Sequence, residues 1–223
     1  MAACGKSAPS ATEPVTKTRA AAYADAVNLR EADVAPWEQR KPGKTVEPNA
    51  AIATDAKCAG AVSPSRWLEL RYSPIFARRL VGAMESNVLV LPTTALAVRD
   101  AGARLSGRGF SCFVRDEQQL LTGATLTVKG HTLRAGNVEV SRLPDPLPCI
   151  PSAFEWRVTY TVTGEPHPRS APISLTTYLD FFGFNDGPAE IRLRTRGYGA
   201  PLPTATERQA LTAIYNRAET HKL

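Results

Sequence analysis

The chain has 223 residues, 43% of them hydrophobic and 22% charged, with a formal net charge of +6. That balance is ordinary for one globular domain and excludes a wholly disordered chain, and no run approaches the ~18 apolar residues of a membrane-spanning helix. The basic balance, with a pI of about 9.3, favours anionic surroundings such as phospholipid headgroups or wall polymers.

At the N-terminus, Met1-Ala2-Ala3-Cys4-Gly5-Lys6-Ser7 resembles a bacterial lipobox, in which a signal peptide is cut before the Cys and the thiol is joined to diacylglycerol. Cys4 is therefore the expected lipidation site. The apolar stretch that should precede it is missing, so the true start is expected upstream; the competing reading is an ordinary thiol in a floppy N-terminus. Residues 5–18 are small, polar or Pro, with Val15 the only larger aliphatic residue. Such a segment cannot bury enough surface to offset its ordering entropy. Residues 1–18 accordingly read as lipobox and disordered tether, and 19–223 as one domain. Acyl chains would supply the membrane affinity, each buried methylene contributing ~0.8 kcal/mol.

Residues 19–33 are rich in Ala and predict a first helix, broken near Ala35-Pro36-Trp37. Residues 38–48 read as a loop or frayed strand, and a short helix over 49–61 carries Cys58. Trp67 through Phe76 suggests a strand interrupted by Pro74. Ser86 to Leu91 is a compact strand. Thr93 then caps a helix running to about Ser106, where Gly107 stops it, and a second helical piece spans about 111–121.

The period then switches to alternation. Ala124-Leu126-Val128 and Val138-Val140 are short strand patterns flanking Lys129-Gly130 and Gly136-Asn137. Phe154, Trp156, Val158, Tyr160 and Val162 alternate with polar residues in the clearest half-buried strand. Ile173, Leu175, Leu179 and Phe181 continue the pattern after a Pro-rich turn. Ala189, Ile191 and Leu193 form the inner face of a last strand, with Glu190, Arg192, Arg194 and Arg196 outside. Thr204-Ala205-Thr206-Glu207 matches a capping box. Behind it Ala210, Leu211, Ile214, Tyr215 and Ala218 make one apolar helical stripe. Hairpin-joined strands between helices indicate an antiparallel sheet covered on one or both faces, hence an α+β fold.

With Cys4 lipidated, Cys58, Cys112 and Cys149 are left. No C-x-x-C occurs and no His sits near a Cys at zinc spacing, so neither a metal site nor a cofactor is expected. Outside the membrane a disulfide is the default. Cys58 and Cys112, both in helix-like segments, are the favoured pair, and a pairing that involves Cys149 remains open.

Catalytic signals are weak. Gly107-Arg108-Gly109 lacks the third glycine of a dinucleotide turn. Gly109-Phe110-Ser111-Cys112-Phe113 has Phe113 where a nucleophile elbow needs glycine. His131, His167 and His221 read as solvated loop residues, and Asp180 as a satisfied side chain facing solvent. No catalytic residue is named. The surface feature singled out is Arg192, Arg194 and Arg196, which the two-residue period places on one sheet face; Arg157, on the neighbouring hairpin arm, could join them. Together they could take a phosphate-bearing ligand; the favoured alternative is a soluble sheet face with the arginines paired to Glu155 and Glu190. Nucleic acid is not expected, because the aromatics alternate away from the basic residues.

Across most of the chain the pattern resembles a broad family of actinobacterial cell-envelope lipoproteins. The resembling segments are Ala26-Val27-Asn28-Leu29-Arg30, Lys57-Cys58-Ala59-Gly60, Leu91-Pro92-Thr93-Thr94-Ala95-Leu96-Ala97, Gly107-Arg108-Gly109-Phe110-Ser111-Cys112 and Pro203-Thr204-Ala205-Thr206-Glu207. The resemblance implies pairing of Cys58 with Cys112. More distantly, the order of elements is similar to PsbP-like α/β/α sandwiches, which include mycobacterial LpqN-type lipoproteins and an extracellular kinase sensor domain. The departures are the lost signal segment and the extra Cys149. The expectation is a non-enzymatic protein, lipid-anchored on the extracytoplasmic face of the cell membrane. It would bind a small or amphiphilic ligand, or an envelope partner, between sheet and helices. The alternative is a sensor or accessory protein-interaction domain, with an envelope hydrolase ranked last.

Overall fold

The computed structural model describes residues 14–128, 131–144, 153–164 and 173–223. Cys4, Cys149 and His167 lie outside the described residues, and so does most of the expected tether. Val15, which precedes the boundary at 19 read from the sequence, is buried in the core.

Helix α1, Lys17–Val27, is capped by Thr16, whose Oγ1 accepts from Arg19 N at 3.3 Å. The single helix expected over 19–33 is instead two, because α2 covers Glu31–Val34 separately. Asn28 explains the break. Its Oδ1 accepts from Ser86 Oγ at 2.8 Å and its Nδ2 donates to Arg71 O at 3.2 Å, so its side chain bonds to the sheet and competes with the helix. Arg217 then closes the exposed end of α1, donating to Val27 O and Asn28 O while gripping Asp33.

All strand pairings are antiparallel. The order is β1(Glu38–Lys41)–β4(Ile75–Arg78)–β5(Gly82–Val90)–β10(Ala189–Tyr198)–β9(Ile173–Asp186)–β8(Phe154–Gly164)–β7(His131–Leu143)–β6(Thr125–Val128). The Pro74 interruption splits one edge of β5 between β4 and β3, Glu69–Tyr72, which in turn pairs β2, Lys44–Thr45. Strand β7 is longer than its sequence signals suggested. Gly136-Asn137, read as lying between two short strand patterns, is part of a register shift inside the strand, with Asn137 at φ 52°.

Helices cover both faces, giving an α+β fold with a helical layer on each side of an open antiparallel sheet. On one side α1, α2 and α6 (Thr204–Thr220) enclose a continuous core that includes Val27, Met84, Val88, Phe182, Phe184, Ile191, Leu193, Leu211 and Ile214. Each such side chain contributes ~1.5–3 kcal/mol on burial.

On the other side lie α3 (Ala50–Ala59), α4 (Thr94–Leu105) and α5 (Gly107–Leu121). Asn49 caps α3, and Gly60 ends it in the left-handed conformation at φ 75°, where glycine is favoured. Ser106 serves two helices, terminating α4 and capping α5 through its Oγ, which accepts from Gly109 N at 3.0 Å. Helix α5 therefore starts at Gly107, earlier than the expected 111.

Candidate functional site: a groove between sheet and helices

Beneath α3, α4 and α5 the apolar packing divides. One cluster gathers Val62, Leu70, Leu89, Leu91 and Ala97. A second gathers Val158, Tyr160 and Leu179, with Phe113 and Phe181 packed against them. Between them runs a groove of about 790 Å³. Its roof includes Ile52 and Asp55 of α3, Ala101 and Arg104 of α4, and Phe113 and Glu117 of α5; its floor includes Leu70, Glu85, Asn87, Leu89, Glu190, Arg192 and Arg194.

Strand alternation and register make this floor. Arg194 stands opposite Glu85 and Arg192 opposite Asn87 on β5, so residues on the sheet face read as outside are roofed by helices. At one end Trp156 meets Phe113 at 4.7 Å and Phe154 at 4.8 Å between ring centroids, and Phe113 meets Phe181 at 5.1 Å. Phe154 can lie flat there because position 183 is glycine: a Cβ at Gly183 would stand 2.3 Å from Phe154 Cε1. Trp67 and Tyr72 flank the other end.

The roof is stitched in two ways. A disulfide joins Cys58 of α3 to Cys112 of α5, with their Cα atoms 6.0 Å apart. Arg104 of α4 donates to Asp100 Oδ2 at 2.6 Å and to Asp55 Oδ2 of α3 at 2.9 Å. Asp100 also accepts from Val62 N at 2.6 Å.

Electrostatics at the floor are unusual. Glu190 is 3% exposed and its Oε2 accepts from Arg192 at 2.7 Å. Among the described residues its Oε1 and Trp67 Nε1 are the buried side-chain polar atoms with no ordinary donor or acceptor. Burial pushes the Glu190 carboxyl up to about 7; Arg192 opposes the rise and the carboxylate of Asp100 adds to it. Burial would also raise Asp100, but Arg104 and a hydrogen bond from Glu190 outweigh it and hold that carboxyl low. The proton of the pair thus rides on Glu190, where it supplies the donor that two ionised carboxylates would lack. Glu117 is raised as well, first by burial and then by Asp116 and Asp55, with Arg194 opposing.

The arginines singled out in the sequence part company. Arg192, Arg194 and Arg196 share the groove face; Arg192 is paired to Glu190, and Arg194 to Glu85. Arg157 lies on the opposite face and does not join them. Register sets it against Asp180, which in turn stands opposite Thr195. There Arg157 Nε and Nη2 donate to Asp180 at 2.6 and 2.8 Å. Asp180, expected to face solvent, is 1% exposed.

The same layer holds Glu207. The expected capping box is not formed, since α6 has no side-chain cap. Glu207 instead accepts from Thr195 Oγ1 at 2.6 Å. Burial drives its carboxyl up to about 8; the Thr195 hydrogen bond opposes this, whereas Asp180 and Glu155 reinforce it.

His221 is exposed, and its ring Nδ1 lies 2.8 Å from Arg217 O. His131 opens β7. Among the described residues no helix is long and apolar enough to cross a membrane, and no group of three or more His, Cys, Asp or Glu is placed to hold a metal ion.

No protein-family model matches the chain, and no curated protein matches it. The family resemblance therefore rests on the sequence segments that suggested it. Among solved structures, the chain is similar to the extracellular domain of PknH from Mycobacterium tuberculosis, with a TM-score of 0.44 and 11% identity. The match covers 93% of this chain and 98% of that one. At that distance no residue role is carried over.

Proposed function

We propose that this chain is a non-enzymatic extracytoplasmic domain, lipid-anchored through Cys4, that holds a small amphiphilic ligand in the groove under α3, α4 and α5. The observation carrying this reading is the groove's composition. Aromatic and aliphatic walls at both ends flank a floor of paired charged side chains, an apolar cleft with polar groups able to orient a ligand. The disulfide supports a location outside the cytoplasm, since such bonds persist in oxidising compartments. A carboxyl such as Glu190 with its proton held near neutrality could also serve acid chemistry. Among the described residues, however, the groove presents no nucleophile paired with a base, and we take binding as the better account.

Native mass spectrometry on protein purified from its own host tests the reading. A bound mass that leaves on mild activation, and is lost when Trp156→Ala opens the aromatic end, is the expected result. A ligand-free protein that gives no Trp fluorescence change with any amphiphile would refute it.

A second reading, a protein-contact module, is favoured by one observation. Leu80, Leu175 and Tyr198 are large exposed apolar residues gathered at one end of the sheet, where Tyr198 N donates to Val81 O and Gly199 N to Thr176 O. Cross-linking in envelope extracts, with and without Leu80→Asp, separates this from ligand binding.

A further inference from the structure

The turn joining β4 to β5 breaks a local rule with no return inside the fold. Val81 N donates to Arg78 O at 3.1 Å, so Arg78-Arg79-Leu80-Val81 is a tight turn, and its third residue, Leu80, stands at φ 61°. That left-handed position suits glycine or asparagine and is costly for a bulky side chain. Packing does not offset the cost, because Leu80 is 83% exposed. A backbone outlier that the surrounding core does not reward points to a contact made outside the chain. The tip is nonetheless held in place. Gly82 and Gly197 stand opposite each other, where a Cβ at Gly82 would meet Arg196 O at 1.9 Å, and Tyr198 N donates to Val81 O at 3.2 Å.

Unpaired charge around the tip is of one sign. Arg78 and Arg79 are exposed and Arg196 is half-buried. Arg192 and Arg194 are taken by Glu190 and Glu85, whereas among the described residues no ion pair engages Arg78, Arg79 or Arg196. The carboxylates on the strands flanking β4, Glu38 and Glu85, are already held by Arg40 and Arg194. Leu175 and Tyr198, also exposed, lie at the same end of the sheet, with Leu175 Cδ1 3.8 Å from where a Cβ on Gly199 would sit. We propose that this end of the sheet docks on an anionic phospholipid bilayer. Leu80 enters the boundary between headgroups and acyl chains, and Arg78, Arg79 and Arg196 meet phosphate.

A lipid surface fits this chemistry better than a protein does. A stable protein interface buries about 1,000 Å² or more around an apolar centre poor in charge, whereas here one aliphatic side chain projects from a narrow turn among cations. A bilayer needs no complementary pocket. Apolar side chains settle into its boundary region while its negative surface draws in the guanidiniums, whose forks match phosphate oxygens. The docking is independent of the groove and of any acyl chain on Cys4, and it sets which end of the sheet faces the membrane.

The test is co-sedimentation of the full chain, purified without acylation, with vesicles of phosphatidylcholine alone and of a phosphatidylcholine–phosphatidylglycerol mixture. We expect at least about tenfold tighter binding to the anionic vesicles, mostly lost at ~1 M salt, where the Debye length falls to about 3 Å. Arg78→Gln with Arg79→Gln should weaken it about thirtyfold. Leu80→Gly suits the turn and so should fold at least as well, yet should weaken binding about tenfold. Arg66→Gln with Arg99→Gln removes the same charge from exposed sites ahead of β3 and on α4, and should leave binding within about twofold. Equal losses from the two arginine pairs would overturn the tip as the docking site, and equal binding to both vesicles would overturn the charge assignment. Absence of binding to either vesicle would overturn the proposal and leave Leu80 to a protein partner. Amphiphile binding in the groove, measured separately, is untouched by all three of those results.

Discussion

Neighbouring residues of one strand serve opposite ends in this molecule. On β10, Ile191 and Leu193 are sealed in a continuous core with Leu211 and Ile214 of α6, whereas Glu190, Arg192 and Arg194 floor a groove beneath α4 and α5. The sealed face is where burial stabilises the fold. On the grooved face the helices pack on the strands through two separate apolar clusters, and a disulfide and Arg104 tie the helices to one another above the space between them. A single sheet thus divides its labour, with one side supplying stability and the other a cavity.

The largest expected effect tests that division directly. Phe184→Ala, on the sealed face, should cost about 3–5 kcal/mol in urea unfolding. Phe113→Ala, on the groove wall, should cost under about 2 kcal/mol yet weaken amphiphile binding. Equal costs would mean that the groove wall is ordinary core.

Next comes the roof. Replacing Cys58 and Cys112 together by Ser opens a loop of 54 residues, for which chain entropy predicts a loss of ~4 kcal/mol. Hydrogen exchange should rise in α3 and α5 while α1 and α6 keep most of their protection. Uniform deprotection would show that the two layers do not behave separately.

A smaller effect concerns pH on the sealed face. Glu207 has a folded pKa near 8, above its unfolded value, so the folded state favours the protonated carboxyl. Its burial costs nothing below about pH 4.5, and the cost grows to its full extent above about pH 8. Glu207→Gln can still accept from Thr195. It should stabilise the protein by of order 2 kcal/mol at pH 9 and by little at pH 4. A shift of equal size at both pH values would show that the carboxyl stays ionised.

Much of the frame was legible because periodicity reports burial. The α6 stripe is buried at Ala210, Leu211, Ile214 and Ala218, and the alternation of β8 and β10 marked true strands. The site was less legible, for a physical reason. Charged residues at 190, 192 and 194 normally signal solvent, but ion pairs let them lie under helices, and nothing within β10 shows that a roof exists. Arg157 was misplaced because alternation assigns a face only within one strand; the register through β9, which sets Arg157 beside Asp180, is a tertiary property. Asp180 itself, set in an aromatic strand, was the one local sign of a buried partner. Glu207 likewise carried a valid capping signal that lost to a hydroxyl on the neighbouring sheet.

Gly183 has a consequence of its own. Because a single methyl there would collide with the Phe154 ring, that ring rests against bare backbone, and the cavity gains the ring's thickness in depth. Capacity at the aromatic end is therefore set by a position that need never touch the guest. Gly183→Ala should tilt the ring inward and, if the groove holds the proposed amphiphile, shorten the longest alkyl chain it takes, before any contact residue is altered.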